Sequence, residues 1–170
     1  ITGSGAMDNS RPWSSYSSQI VHVSISEGVT NICDAAFEYH RKLLSVIIPN
    51  TVTSVGQRAF NSCTSLKQIT MSNAVETIGS YAFRSSAITT ITLPSTLISL
   101  GEYAFYECKQ LTEITIPGNL SSIAAKTFYN CTSLTSVTIG ENVTSIGDSA
   151  FSGCTSLQYN EENGLKYLGN

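Results

Sequence analysis

The chain has 170 residues, of which only 12% are charged, and a formal net charge of -3. So little charge, and that on the acidic side, supplies no electrostatic attraction to nucleic acid or anionic lipid. No run reaches the ~20 apolar residues that a membrane-spanning helix needs. Nucleic acid and direct membrane insertion are therefore not expected, and no charged-then-apolar leader stands at the start.

Residues 1–19, ITGSGAMDNSRPWSSYSSQ, hold the single Trp and show no period. A terminal repeat exposes one apolar end, so this stretch is predicted to be an N-terminal capping segment, with Ile1, Met7 and Trp13 as the capping side chains. For Trp13 this structural role is favoured over stacking on a ligand.

From residue 20 the chain is periodic. Its six Phe, at positions 37, 60, 83, 105, 128 and 151, are spaced 23, 23, 22, 23 and 23 residues apart. A fixed period of this length marks stacked units that bury a continuous core only together. Six repeats therefore occupy residues 20–156, beginning at Ile20, Leu43, Leu66, Ile88, Leu111 and Leu134. Repeat positions 1, 4 and 6 are apolar, as in Leu43, Val46 and Ile48, and predict a short strand over positions 2–6 with one face inward. Pro49, Pro94 or Pro117 ends that strand in three repeats. Positions 10 and 13 are apolar in every copy, which pins the back of each coil. Position 14 is Gly56, Gly79, Gly101 or Gly147 in four repeats but Cys33 or Ala124 in the others, so it demands a small residue for close stacking more than a positive φ. Ala at position 17, replaced once by Thr127, precedes the Phe, and the pair predicts a single helical turn with all six Phe buried between coils. The fold class is thus a mostly β solenoid.

Residues 157–170 break the register. Gly164, Leu165, Tyr167 and Leu168 predict a strand pair leading onward, the start of a divergent and truncated C-terminal unit. With a first residue other than Met, the chain reads as a piece of a longer, processed polypeptide.

Cys63, Cys108, Cys131 and Cys154 share position 21, where Ser86 and His40 stand in two other repeats. The alternatives are a disulfide or metal framework and a ladder of small buried thiols. No CxxC and no Cys/His cluster is present, which favours the ladder and implies no metal and no cofactor. Neighbouring position-21 side chains would also point the same way, a poor geometry for a bridge.

If positions 1, 4 and 6 point inward, positions 3 and 5 point out along the inner curve. The candidate binding face is then His22, Ser24, Ser45, Ile47, Gln68, Thr70, Thr90, Thr92, Glu113, Thr115, Ser136 and Thr138. Any single Thr there also suits a pleated ladder for purely structural reasons. A second candidate is the outer side, where Tyr81 with Tyr103 and Tyr106 with Tyr129 form neighbouring pairs; they stack on each other or on a partner. Ice binding would require Thr at both outward positions, and only Thr90 with Thr92 provides it. Catalysis is not expected, because His22 and His40 both fall in the first repeat and no nucleophile or paired acid lies near them in motif form. Asn119, Asn130 and Asn142 match the glycosylation pattern, which carries little weight in so Ser/Thr-rich a repeat.

The template LTEITIPGNLSSIAAKTFYNCTS, residues 111–133, resembles the BspA-like leucine-rich repeat family, also called the Treponema-type repeat. The match runs over residues 20–156, and GSGAM with PW and the closing LQYNEENGLKYLGN are similar to segments that flank such repeats. The resemblance implies a right-handed solenoid with a strand-lined inner face, on secreted or cell-surface proteins of host-associated microbes that adhere to host proteins or other cells. A protein ligand and an extracellular or cell-surface location are what it leads one to expect. The alternative is a structural spacer or targeting region of a larger extracellular enzyme. The 22-residue repeat ending at Ala87, Cys33, Ala124 and Thr127 depart from the family pattern; they disturb packing locally. The family has no common catalytic set to carry over.

Overall fold

Val23, Val46 and Ile69 point toward the core from three short strands, His22–Ser24, Ser45–Ile47 and Gln68–Thr70, which lie side by side in parallel. His22 faces Ser45, and Ser45 faces Gln68, so residues one repeat apart stack directly. The same ladder reappears as Glu113–Ile116 beside Ser136–Ile139. The computed structural model describes residues 1–157, and the strand pair expected at Gly164 to Leu168 lies outside them. The six repeats form successive coils of one right-through hydrophobic core, a mostly β parallel solenoid.

A second ladder runs along the back, built from positions 10–13, where the sequence predicted buried residues but no strand. Gly5–Ala6, Val29–Ile32, Ser54–Val55, Thr77–Ile78 and Ser99–Leu100 form one parallel sheet, and Ser122–Ile123 pairs with Ser145–Ile146.

The Ala-Phe segment is a run of turns rather than the expected helical turn. Positions 16 and 20 adopt left-handed backbone in all six coils, for example Tyr81 at φ 61° and Ser85 at φ 55°, which interrupts any helix. The reason lies in the hydrogen bonds. Tyr81, Phe83 and Ser85 donate their N–H groups to Glu102, Ala104 and Tyr106 carbonyls of the next coil, at 3.0, 2.8 and 2.8 Å. The intervening Ala82, Arg84 and Ser86 N–H groups close turns onto Gly79, Tyr81 and Phe83 within the coil. Alternation lets every second amide zip neighbouring coils together, which offsets the roughly 1 kcal/mol or more that a left-handed non-Gly residue costs. Among the described residues the only helix is the 3-10 turn Ser14–Tyr16.

The Phe rings form a continuous stack, with centroids 5.3, 5.4, 5.3, 5.5 and 5.3 Å apart from Phe37 through Phe151. Five are fully buried, but Phe151, in the last coil, is only half-buried, which corrects the expectation that all six are enclosed. Trp13 lies on the open face of Phe37 at 5.6 Å and 23°, and its Nε1–H donates to Ala36 O at 2.6 Å. It supplies both the ring and the hydrogen bond that a preceding coil would provide. Ile1 and Met7 pack against the core beside it.

The departures from the repeat pattern have visible consequences. A Cβ on Gly56, Gly79, Gly101 or Gly147 would lie within 2.4–2.6 Å of atoms of the preceding coil, and none of the four has the positive φ that favours glycine. Close stacking is therefore what the column requires. Cys33 is tolerated because no full coil precedes the first. Ala124 does have a coil beneath it, and there the back ladder breaks: Ser99–Leu100 and Ser122–Ile123 do not pair with each other. The N–H to O bond that Gly101 makes to Ile78 and Gly147 makes to Ile123 has no counterpart from Ala124 to Leu100. Thr127 is accommodated more simply, since its buried hydroxyl donates to Ala124 O at 2.7 Å.

The 22-residue repeat breaks the inner ladder. In other coils the residue at position 1 donates its N–H to position 21, as Leu66 to Cys63 O at 2.9 Å and Leu111 to Cys108 O at 3.1 Å. With one residue missing after Ser86, Ile88 makes no such turn, and Thr90 to Thr92 form no ladder strand.

Candidate binding face

The position-3 and position-5 side chains form one strip along the inner face. His22, Ser24, Ile47, Gln68, Thr70, Thr90, Thr92, Glu113, Thr115, Ser136 and Thr138 are exposed, while Ser45 is half-buried, with its Oγ 2.8 Å from His22 Nδ1. With about 4.8 Å between paired strands, six coils give a face on the order of 25 Å wide. Where the inner ladder breaks, the face hollows into a groove of about 210 Å³ lined by Thr90, Thr92, Glu113, Thr115, Ser136 and Thr138 over a floor of Ile91 and Ile114. The strip was legible from the period; the hollow was not. Its one signal was the missing residue in the third repeat.

The groove presents hydroxyls and one carboxylate. Glu113 has no ion-pair partner among the described residues. Hydroxyls at position 2 are already engaged with the coil beneath, since Thr112 Oγ1 donates to Thr89 O at 3.2 Å and Thr135 Oγ1 to Thr112 O at 3.0 Å. Thr90, Thr92, Thr115 and Thr138 have no such side-chain bond among the described residues, so their hydroxyls are open to a ligand.

The outer tyrosines pack on one another. Tyr81 and Tyr103 stack at 4.5 Å and 9°, Tyr106 and Tyr129 at 5.0 Å and 6°, and Tyr103 touches Tyr106 at 5.6 Å. The free faces of the first pair are covered by cations: Arg58 lies 5.6 Å from the Tyr81 centroid and Lys126 5.5 Å from that of Tyr103. Arg84 sits 5.5 Å from the Tyr106 centroid. Sequence reasoning missed these three cations, although Arg58 and Lys126 share position 16 with Tyr81 and Tyr103. A partner's ring would have to displace a cation–π contact, each worth about 0.5–1 kcal/mol at an exposed site. That weakens the outer side as an interface.

The cysteines make the buried ladder. Cys63, Cys108, Cys131 and Cys154 each donate a thiol hydrogen bond to the Phe carbonyl of the preceding coil, at 3.1, 3.1, 3.2 and 3.1 Å, and all five cysteines are free and buried. No group of three or more His, Cys, Asp or Glu among the described residues is placed to hold a metal ion. Burial pushes the Cys63 thiol up to about 12 and the Cys108 thiol up to about 11. The neighbouring Cys154 thiol and burial push the Cys131 thiol up as well. His40 takes the same column in the first coil, buried, with Nδ1 3.2 Å from Glu38 O and Nε2 without a partner.

A thiol reagent at pH 8 is expected to leave Cys63 and Cys108 unmodified in the folded protein, since the thiolate is the reactive form. The sign of the accompanying pH dependence follows from the raised values. Unfolded Cys63 ionises near 9.0 and folded Cys63 near about 12, so its stabilisation is complete below pH 9.0 and is lost as pH rises toward 12. Urea midpoints that fall above pH 9 in the wild type, and fall less in Cys63→Ala, check this; equal declines would show that other groups govern alkaline unfolding.

A model of the BspA type leucine rich repeat region, in six copies, matches residues 30–158. The chain belongs to the BspA-type leucine-rich repeat family. No curated protein matches it. Among solved structures, this BspA-type chain is similar to a leucine-rich repeat protein of T. pallidum, with a TM-score of 0.67 and 22% identity over 88% of this chain and 85% of that one. A leucine-rich repeat protein of Eubacterium ventriosum superposes with a TM-score of 0.63 at 21% identity, over 92% of this chain and 65% of that one. A leucine-rich cell surface protein of Faecalibacterium prausnitzii gives a TM-score of 0.64 at 29% identity, over 81% of this chain and 46% of that one. The BspA-type chain thus spans less than half the length of that cell surface protein. Among the described residues no helix is long and apolar enough to cross a membrane.

Proposed function

We propose that this BspA-type repeat region is a non-catalytic binding module, displayed extracellularly or on a cell surface, that captures a host or other-cell protein through its inner strand face. The observation that carries this reading is the strip of position-3 and position-5 side chains, exposed at every site but Ser45, with open hydroxyls and a groove at coils 4 to 6. The similarity to a cell surface protein of F. prausnitzii supports the location. In this reading residues 1–19 cap the first coil, residues 20–156 bind, and residues 157–170 begin a divergent unit. A spacer or targeting role in a larger extracellular enzyme is the second reading, favoured by the greater length of that same relative.

The face carries Glu113 as its only carboxylate and His22 as its only titratable base, so binding is expected to rest on hydrogen bonds and shape and to vary little with salt. A combined Gln68→Ala, Thr92→Ala and Glu113→Ala variant should keep its circular dichroism and melting temperature, because these side chains point away from the core, yet lose capture of a purified partner by tenfold or more, about 1.4 kcal/mol. Unchanged binding by that variant, together with loss in Tyr103→Ala and Tyr129→Ala, would move the interface to the outer side. A spacer would show no inner-face dependence for any partner.

A further inference from the structure

The inner face is chemically graded along the solenoid. At its N-terminal end Val21, Leu44 and Ile47 are 36, 40 and 51% exposed on adjacent coils. Ile47 is the only apolar residue in a position-5 column otherwise made of Ser24, Thr70, Thr92, Thr115 and Thr138. Single exposed apolar residues are ordinary, but Val21 and Leu44 are joined one repeat apart by the Leu44 N–H to Val21 O bond of 2.7 Å, just before the paired strands His22–Ser24 and Ser45–Ile47, and Ile47 ends the second of these, so one end of the face is aliphatic. Toward the other end, the Glu113 carboxylate lies in the hydroxyl-lined groove with no cation paired to it among the described residues.

The two features are three coils apart. Phe rings in coils 2 to 5 advance by 5.3–5.5 Å per coil, so Ile47 and Glu113 are separated by about 16 Å along the axis, a span that four extended residues at about 3.3 Å each cover once a long basic side chain is added. We propose that the inner face takes an extended segment of a protein partner lying along the solenoid axis, with an aliphatic side chain at the Leu44 to Ile47 end and a Lys or Arg four residues away, on the same face of the segment, on Glu113. This rests on the inner-face reading above. Charge complementarity selects the basic residue, since Glu113 is the only charge in the groove. The apolar patch selects a protein over a glycan, because this end of the face offers aliphatic side chains. The exposed hydroxyls of Thr70 and Thr92 then meet the main chain between the two anchors.

The test is titration of the isotopically labelled protein with a blocked nine-residue Ser/Gly peptide carrying Leu and Lys four residues apart, followed by amide shifts. Shifts at both Leu44 to Ile47 and Thr90 to Thr115 are expected, with affinity about tenfold weaker in Glu113→Gln and for a peptide with Gln in place of Lys, the worth of one charge-assisted hydrogen bond. Moving Leu and Lys to adjacent positions should lose one of the two clusters. Equal affinity for Glu113→Gln, or no shifts at up to about 5 mM peptide, overturns this proposal while leaving the inner-face reading open to the triple variant. Shifts at Tyr81 and Tyr103 instead overturn both. Concentration-dependent self-association abolished by Ile47→Asn would assign the patch to a second copy and overturn the peptide proposal.

Discussion

Phe105→Ala is expected to lower the unfolding free energy by about 3–5 kcal/mol, the usual range for truncating a buried aromatic. Phe105 is fully buried between Phe83 at 5.3 Å and Phe128 at 5.5 Å, so its loss opens a cavity shared by two coil interfaces. Neighbours cannot close the gap readily, because the backbone around it is held on both sides: Phe105 N–H donates to Thr127 O at 2.9 Å and Phe83 N–H to Ala104 O at 2.8 Å. Phe151→Ala, in the half-buried terminal position, should cost markedly less. Repeat stability is a sum of nearest-neighbour terms, and an interior coil has two such neighbours. Chemical denaturation of both variants checks this, and equal losses would mean that the stack does not distribute stability coil by coil.

Gly101→Val should be comparably severe, and Ala124→Gly should have the opposite sign. A Cβ on Gly101 would lie 2.4 Å from Ser80 N and 2.7 Å from Gly79 C, both backbone atoms of the preceding coil. Relief requires the two coils to separate and the Gly101 N–H to Ile78 O bond, 2.9 Å long, to stretch. Overpacking of this kind costs about 1–3 kcal/mol for a single methyl and more for a branched side chain. Ala124 shows what such a wedge does, since the back ladder is interrupted there. Replacing Ala by Gly ordinarily destabilises by about 0.5–1 kcal/mol through chain entropy. Here Ala124→Gly allows the missing bond to Leu100 O to form and should raise the urea midpoint. A lowered midpoint would show that the break at coil 5 has another origin.

The inner strip was readable because the strand period is 2 and the repeat is 23 residues, so outward side chains recur at fixed positions and stack. The cysteine ladder was readable for the same reason. The turns were not: left-handed backbone at Arg58, Tyr81, Tyr103 and Lys126 contradicts the local preference of every one of those residues. Only the hydrogen bonds to the next coil make it favourable. The groove and the cations on the tyrosine faces were likewise hidden, because both depend on how coils stack.

What the sequence determined by itself is therefore whatever repeats: the family, the solenoid, the Phe column, and which side chains face in or out. Tertiary structure decided whatever departs from the repeat. A single missing residue after Ser86 and a single methyl at Ala124 read in sequence as local irregularities. Each interrupts a ladder, because parallel coils share hydrogen bonds only while their backbones stay within bonding distance. The hollow beside Glu113 follows from the first of these, and no periodicity could have announced it.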